Sequence, residues 1–168
     1  LQDSVMAEEQ RQAQQEALGL AVEERETASF LPPEVDMLRL AIAVAVREET
    51  GVKLIMDGFL AANDMAVENQ LTKLREAETP QARREARTTI QVYKLQRLWG
   101  LLFSKVRIEE AEPLLREILA ENTPDPDEQT PTNPPPLAPE VVHRFEGWLA
   151  MRNGEDSRAA ELLEPLVE

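Results

Sequence analysis

Residues 143–166, HRFEGWLAMRNGEDSRAAELLEPL, carry the clearest fold signal in this chain, because two helical apolar stripes flank the turn pair Asn153-Gly154. Glycine just after a helix is typical of a left-handed cap, and Gly147 supplies a small residue where two helices would cross. Residues 95–118, LQRLWGLLFSKVRIEEAEPLLREI, have a similar spacing of apolar, small and turn residues. Each stretch predicts a helical hairpin.

The two predicted hairpins share one register. Ala111 and Ala159 stand early in the second helices, 48 positions apart, and each is followed four residues later by a leucine, Leu115 or Leu163. Tetratricopeptide repeats recur about every 34 residues. The interval between Ala111 and Ala159 is therefore about 14 residues longer than one repeat. The Pro-rich stretch at 122–139 lies between the two hairpins, and its length beyond that of a short turn accounts for the difference.

The pattern resembles the tetratricopeptide repeat over roughly residues 90–168. Gly147 matches a small position of that family, and three leucines match the apolar positions of a first helix: Leu95, Leu98 and Leu102. The resemblance implies an α-solenoid of antiparallel hairpins that holds other proteins. The asparagines with which the family grips peptide carboxylates are replaced by Gly100 and Trp148.

Composition predicts an all-α protein. Ala, Leu, Glu, Gln and Arg dominate the 168 residues, while aromatics make up 4% and glycines number 6. Thr79-Pro80 is a strong helix start, with threonine as N-cap and proline at the first helical position. We expect a less regular N-terminal helical region, 1–79, and a hairpin region, 80–168. The latter contains an extended, solvated insertion at 122–139 with seven prolines.

The N-terminal region is harder to interpret. Residues 38–56 fit a helical period, but part of the stretch also alternates as a strand would. Interleaved alanines and helical surroundings favour a helix. Further along, Asn63-Asp64 predicts the cap of a new helix from Met65, and residues 3–27 predict a polar first helix.

Charge and residue types argue against several functions. The net charge of −14 argues against nucleic-acid binding and against anionic membranes. Cysteine is absent, and nothing near His143, the single histidine, supplies the pair of an orienting carboxylate and a nucleophile that a general base would need. Adjacent glutamates on a helix do not converge on one point. We therefore predict no enzymatic activity, no cofactor and no metal site, and the apolar run at 40–46 is too short to span a membrane.

These features leave the compartment open. The chain begins at Leu1 rather than Met, which predicts trimming of the N-terminus. It also ends without an obvious polar capping helix, which predicts either a piece of a longer repeat protein or self-association through the exposed end.

The first set of candidate binding residues is Arg144, Trp148 and Arg152. They stand at i, i+4 and i+8 and so form one stripe on a helix face. In tetratricopeptide repeats, which the hairpins resemble, this face of the first helix lines the surface that binds ligands. Two arginines and a tryptophan on that face suit an acidic or aromatic peptide. In the alternative interpretation, Trp148 belongs to the core and the arginines flank it in solvent.

The second set is Arg83, Arg84 and Arg87. They belong to a basic band, residues 73–107, that holds nine basic and three acidic residues and thus a net charge of +6. The band could receive an acidic peptide or a nucleic-acid backbone. The simplest partners for these cations are the chain's own acids.

Taken together, the patterns predict a non-catalytic protein–protein interaction scaffold that binds a peptide or a partner helix. One alternative is a helical bundle that binds a small molecule through the apolar residues 34–62. Another is a regulatory domain of a larger assembly.

Overall fold

A computed structural model describes residues 33–46, 49–124 and 130–166, with side chains from residue 37 onward. Within these ranges every regular element is a helix, which confirms the all-α prediction and the choice of helix over strand. The predicted helix at 3–27 lies outside the described residues. The α-helices are α1 (Pro33–Ala45), α2 (Glu49–Glu76), α3 (Pro80–Ser104), α4 (Ala111–Glu121), α5 (Pro139–Arg152) and α6 (Asp156–Leu163).

The chain divides into two compact units, Leu1–Asn63 and Asp64–Glu168, and the boundary falls inside α2. In the first unit, Leu40 and Ala43 of α1 are fully buried. The first half of α2 buries five apolar residues at helical spacing: Val52, Ile55, Met56, Phe59 and Leu60. This stripe explains why the ambiguous segment is helical, since an alternating strand would expose half of it.

The predicted helix break at Asn63-Asp64 is wrong. α2 runs without interruption from Glu49 to Glu76, and Asn63 is buried in its interior. Asparagine prefers caps because its side chain competes for nearby backbone groups, but its cost inside a helix is only a few tenths of a kcal/mol, roughly 0.7 at most. Burial of the apolar stripe stabilises the continuous helix by more than the local preference of asparagine costs.

In the second unit, the predicted start of α3 is confirmed. The Oγ1 of Thr79 accepts a hydrogen bond of 3.1 Å from the backbone N–H of Ala82, and Pro80 begins the helix. At the other end Lys105 is left-handed (φ 62°) and donates its backbone N–H to the carbonyl of Leu101 at 3.0 Å. A 3-10 turn at Ile108–Glu110 then leads into α4.

Four helices form two successive pairs. α3 packs on α4, α5 packs on α6, and α5 also contacts both α3 and α4. The interior between them is aliphatic and small, with few aromatics. Its buried residues are Leu98, Leu101, Leu102, Ala111, Leu115, Ile118, Phe145, Ala150 and Ala159.

Gly147 allows α5 and α6 to approach closely. A Cβ at this position would lie 2.6 Å from Cγ of Leu163 and 3.3 Å from Cβ of Leu162. Gly154, in the turn between the two helices, has φ of +76° and open space around it. The small residue and the left-handed cap predicted for this hairpin are both confirmed.

The Pro-rich stretch contains no regular element in its described residues, 122–124 and 130–138. The prediction that it is solvated throughout is wrong for residues 131–134, which are half-buried. Asn122 accepts the backbone N–H of Leu137 through Oδ1 at 2.8 Å, so the two ends of the insertion are tied together. The insertion is therefore anchored to the helices.

Candidate functional site

An apolar groove opens between α3 and α5. It encloses about 320 Å³ and is lined by three residues from each helix: Trp99, Leu102 and Phe103, and Trp148, Met151 and Arg152. Phe103 and Met151 are 48 positions apart, the same interval that separates Ala111 from Ala159. We name this cavity the α3–α5 groove.

Two ring contacts hold the aromatic walls of the α3–α5 groove. Trp99 and Phe103, one helical turn apart, stack at a centroid distance of 4.8 Å and an interplanar angle of 10°. Trp148 meets Phe145 edge to face at 5.5 Å and 83°. Phe145 is buried and Trp148 is half-buried, so Trp148 contacts the core through Phe145 and also lines the groove.

The two arginines of the predicted stripe differ. Arg152 lies at the groove and donates its Nε–H to the carbonyl oxygen of Leu102 at 2.7 Å. Arg144 lies two turns earlier on α5 and is exposed, and within the described residues its side chain makes no hydrogen bond or ion pair. The structure thus brings Trp148 and Arg152 into one cavity and leaves Arg144 free on the same helix.

Sequence reasoning did not select Trp99, Phe103 or Met151. A signal for two of them was available, since Phe103 and Met151 occupy equivalent places in the two hairpins. In the structure Met151 is 48% exposed. The contribution of Trp99 depends on how α3 and α5 pack, which its sequence position does not reveal.

The basic band is largely engaged by the chain itself. Arg83 donates its Nε–H to the carbonyl of Ala77 at 3.2 Å, while Lys94 and Arg97 form ion pairs with carboxylates of this unit. Arg84 has no hydrogen bond or ion pair among the described residues. Lys94 and Arg97 thus pair with the chain's own acids, as predicted for the band, whereas Arg83, Arg84 and Arg87 have no carboxylate partner among the described residues.

Arg87 contacts two residues that lie 45 and 46 positions later in the chain. Its Nη1 donates to Oδ1 of Asn133 at 2.8 Å, and Oγ1 and the carbonyl oxygen of Thr132 lie 3.3 and 3.4 Å away. All three acceptors are neutral, so none of them compensates the positive charge of Arg87. The contact fixes the half-buried part of the Pro-rich insertion onto α3.

Lys94 is the one described group whose pKa clearly shifts. Burial lowers its pKa, but hydrogen bonds and Coulombic attraction from Glu117 and Glu121 outweigh that effect, and the net result is a pKa above 10.5. The Nζ atom lies 2.8 Å from Glu117 Oε1 and 2.6 Å from Glu121 Oε2. This triplet ties α3 to α4.

The described residues hold no group of three or more histidines, aspartates or glutamates placed to bind a metal ion. His143 is exposed on α5. Among the same described residues, no helix has the length and apolarity needed to cross a bilayer. Comparison with protein-family models, curated proteins and solved structures gives no match to this chain.

Proposed function

We propose that the second unit is a non-catalytic interaction scaffold that binds a peptide segment or a partner helix in the α3–α5 groove. The observation that carries the proposal is the groove itself, where two tryptophans, a phenylalanine and a half-exposed methionine surround about 320 Å³. Tryptophan is enriched among the residues that dominate binding energy at interfaces, and methionine adapts to irregular partners.

The arrangement of the helices supports a repeat-like scaffold. Each hairpin packs within itself, and α5 contacts both helices of the preceding hairpin, as expected for tandem hairpins in one stack. The equivalent positions of Phe103 and Met151 place the groove along the first helices of both hairpins. We therefore assign the hairpins a tetratricopeptide-like arrangement as part of this proposal.

The charges at the groove favour an acidic partner. Arg152 is the only ionisable residue among the six that line it, and Arg144 lies two turns away on the same helix. A ligand with an apolar side chain and a neighbouring carboxylate would fill the groove and pair with the arginines. Nucleic acid fits less well, because the net charge is −14 and two members of the basic band, Arg83 and Lys94, are engaged within the chain.

The test is a selection from a random peptide display library, followed by affinity measurement with purified protein. The chain has two tryptophans, Trp99 and Trp148, and both line the groove, so tryptophan fluorescence reports directly on its occupancy. Selected peptides should quench or shift that fluorescence. Met151→Ala should weaken binding by about fivefold, since it removes roughly 1 kcal/mol of apolar contact.

Met65→Ala is the matched control. Met65 is 52% exposed against 48% for Met151, lies in the same unit, and is absent from the residues lining the groove. Its replacement should leave affinity unchanged. If selected peptides bind Met151→Ala as tightly as the unmodified chain, binding takes place elsewhere and the proposal fails.

A further inference from the structure

A second cavity lies away from the α3–α5 groove, on the side of α3 covered by the Pro-rich insertion. It encloses about 380 Å³ between the second half of α2, α3, the end of α4 and the insertion. Four apolar residues form one part of its wall: Leu71, Leu74, Ile90 and Pro134. We name it the insertion cavity.

Three polar residues on one face of α3 line the insertion cavity. Arg87, Gln91 and Lys94 stand at i, i+4 and i+7, so one helix face presents all three, and all three line the cavity. Lys94 is already neutralised by Glu117 and Glu121. Arg87 is not, because the acceptors that hold it on the insertion are neutral.

Gln91 is 8% exposed, and within the described residues its side chain makes no hydrogen bond. Its amide atoms are not completely buried, so the amide opens onto the cavity that Gln91 lines. The hydrogen-bonding capacity of this amide is therefore available to a molecule in the cavity. The amide sits one turn from an uncompensated guanidinium and faces the same cavity.

We infer that the insertion cavity binds a small monocarboxylate with an apolar body. The carboxylate accepts from the free N–H groups of Arg87 and from the Gln91 amide, which are close enough on one helix face for a single carboxylate to bridge them. The apolar body lies against Leu71, Leu74 and Ile90. The carboxylate belongs either to a free acid or to the C-terminus of a peptide, and this site is independent of the α3–α5 groove.

The sign of the ligand charge follows from the balance around the cavity. Glu121, the one acid that lines it, is held by Lys94 and is not available to attract a cation. The remaining charge is that of Arg87. An uncharged apolar ligand would leave both the Gln91 amide and this guanidinium without a charged partner.

The experiment is calorimetric titration of the full chain with octanoate and, separately, with octanamide, which has the same shape but no charge. A short peptide ending in leucine, tested as the free acid and as the C-terminal amide, covers the second source of the carboxylate. We expect each acid that fits to bind at least about tenfold more tightly than its amide. Binding by octanoate alone identifies a free acid, and binding by the peptide acid alone identifies a chain terminus.

Three variants locate the site. Gln91→Leu should weaken acid binding about fivefold while leaving thermal unfolding unchanged or raising its midpoint. Gln96→Leu is the matched control, since Gln96 lies on α3 outside the lining of the cavity and its Oε1 has no hydrogen-bond partner either. Asn133→Ala loosens the insertion but keeps the charge of Arg87. Comparison of this variant with Arg87→Ala therefore separates the effect of Arg87 on the loop from its effect on the ligand.

Equal binding of acid and amide would overturn the inference, because it would reflect apolar adsorption alone. So would an equal loss in Gln96→Leu and Gln91→Leu, or the failure of both acids to bind. Met151→Ala must leave acid binding unchanged, since that residue belongs to the α3–α5 groove.

Discussion

The Nε of Arg152 donates a hydrogen bond of 2.7 Å to the carbonyl oxygen of Leu102, fifty positions earlier in the chain. Leu102 lies in the last turn of α3, where carbonyls have no partner within the helix. This side chain of α5 thus caps the end of α3 and also lines the groove between the two helices. A residue chosen for ligand binding also holds the two hairpins together.

Arg152→Ala should lower the free energy of unfolding by about 1–2 kcal/mol, because it leaves the Leu102 carbonyl without its partner and removes a packed aliphatic stem. Urea denaturation followed by circular dichroism measures the change. Arg144→Ala is the control and should stay within about 0.5 kcal/mol, since that side chain is exposed. Equal stability of the two variants would show that the Arg152–Leu102 hydrogen bond contributes nothing.

Gly147→Ala should destabilise the second unit by about 1 kcal/mol or more, although alanine by itself favours a helix by a similar amount. The new Cβ would lie 2.6 Å from Cγ of Leu163 and would force that side chain to move. Denaturant midpoints measure the effect. In the background of Leu163→Ala the same change at Gly147 should become neutral or favourable, and strictly additive effects would contradict the close approach.

Arg87→Ala should release the half-buried part of the insertion, because it removes the hydrogen bond to Asn133 and the contacts to Thr132. Broad-specificity proteolysis under native conditions should then cut residues 130–138 several-fold faster, in line with about 1 kcal/mol of lost contact. Arg84→Ala is the matched control on the same helix, since Arg84 makes no hydrogen bond among the described residues. The same acceleration in both variants would mean that overall charge, and not the Arg87 contact, protects the loop.

The raised pKa of Lys94 predicts a loss of stability at high pH. A folded-state pKa above 10.5 means that its ion pairs stabilise the protein fully below about pH 10.5 and less as the pH rises through the folded value. The contribution should be about 1 kcal/mol or less, because Glu117 and Glu121 are half-exposed.

The measurement for Lys94 is the free energy of unfolding from neutral to strongly alkaline pH, compared between the unmodified chain and Lys94→Met. The difference between the two should shrink at the alkaline end. Lys73→Met, at an exposed position near the end of α2, corrects for the loss of one positive charge. A difference that stays constant across the range would contradict the role assigned to the triplet.

Local signals predicted several helix ends well. Thr79-Pro80 and Asn153-Gly154 lie where α3 begins and where α5 ends, because capping and proline geometry depend on a few neighbouring residues. The same kind of signal failed at Asn63-Asp64. There, a cap preference of a few tenths of a kcal/mol was overruled by the continuation of a helix with a buried face.

The candidate sites were less predictable than the helices. Trp148 and Arg152 were selected from their spacing on α5, whereas the opposite wall of the groove comes from α3. The insertion cavity was not predicted at all. Its closure depends on a contact between Arg87 and Asn133, which are 46 positions apart in the chain.

Periodicity and local backbone preference were enough to predict the helical class, the second hairpin, and its small and left-handed glycines. They could not predict which faces meet: Arg152 on the end of α3, Arg87 on the insertion, and Gln91 at the wall of a cavity. A cavity or a long-range contact is a property of two surfaces. The spacing of residues along one helix describes only one of them.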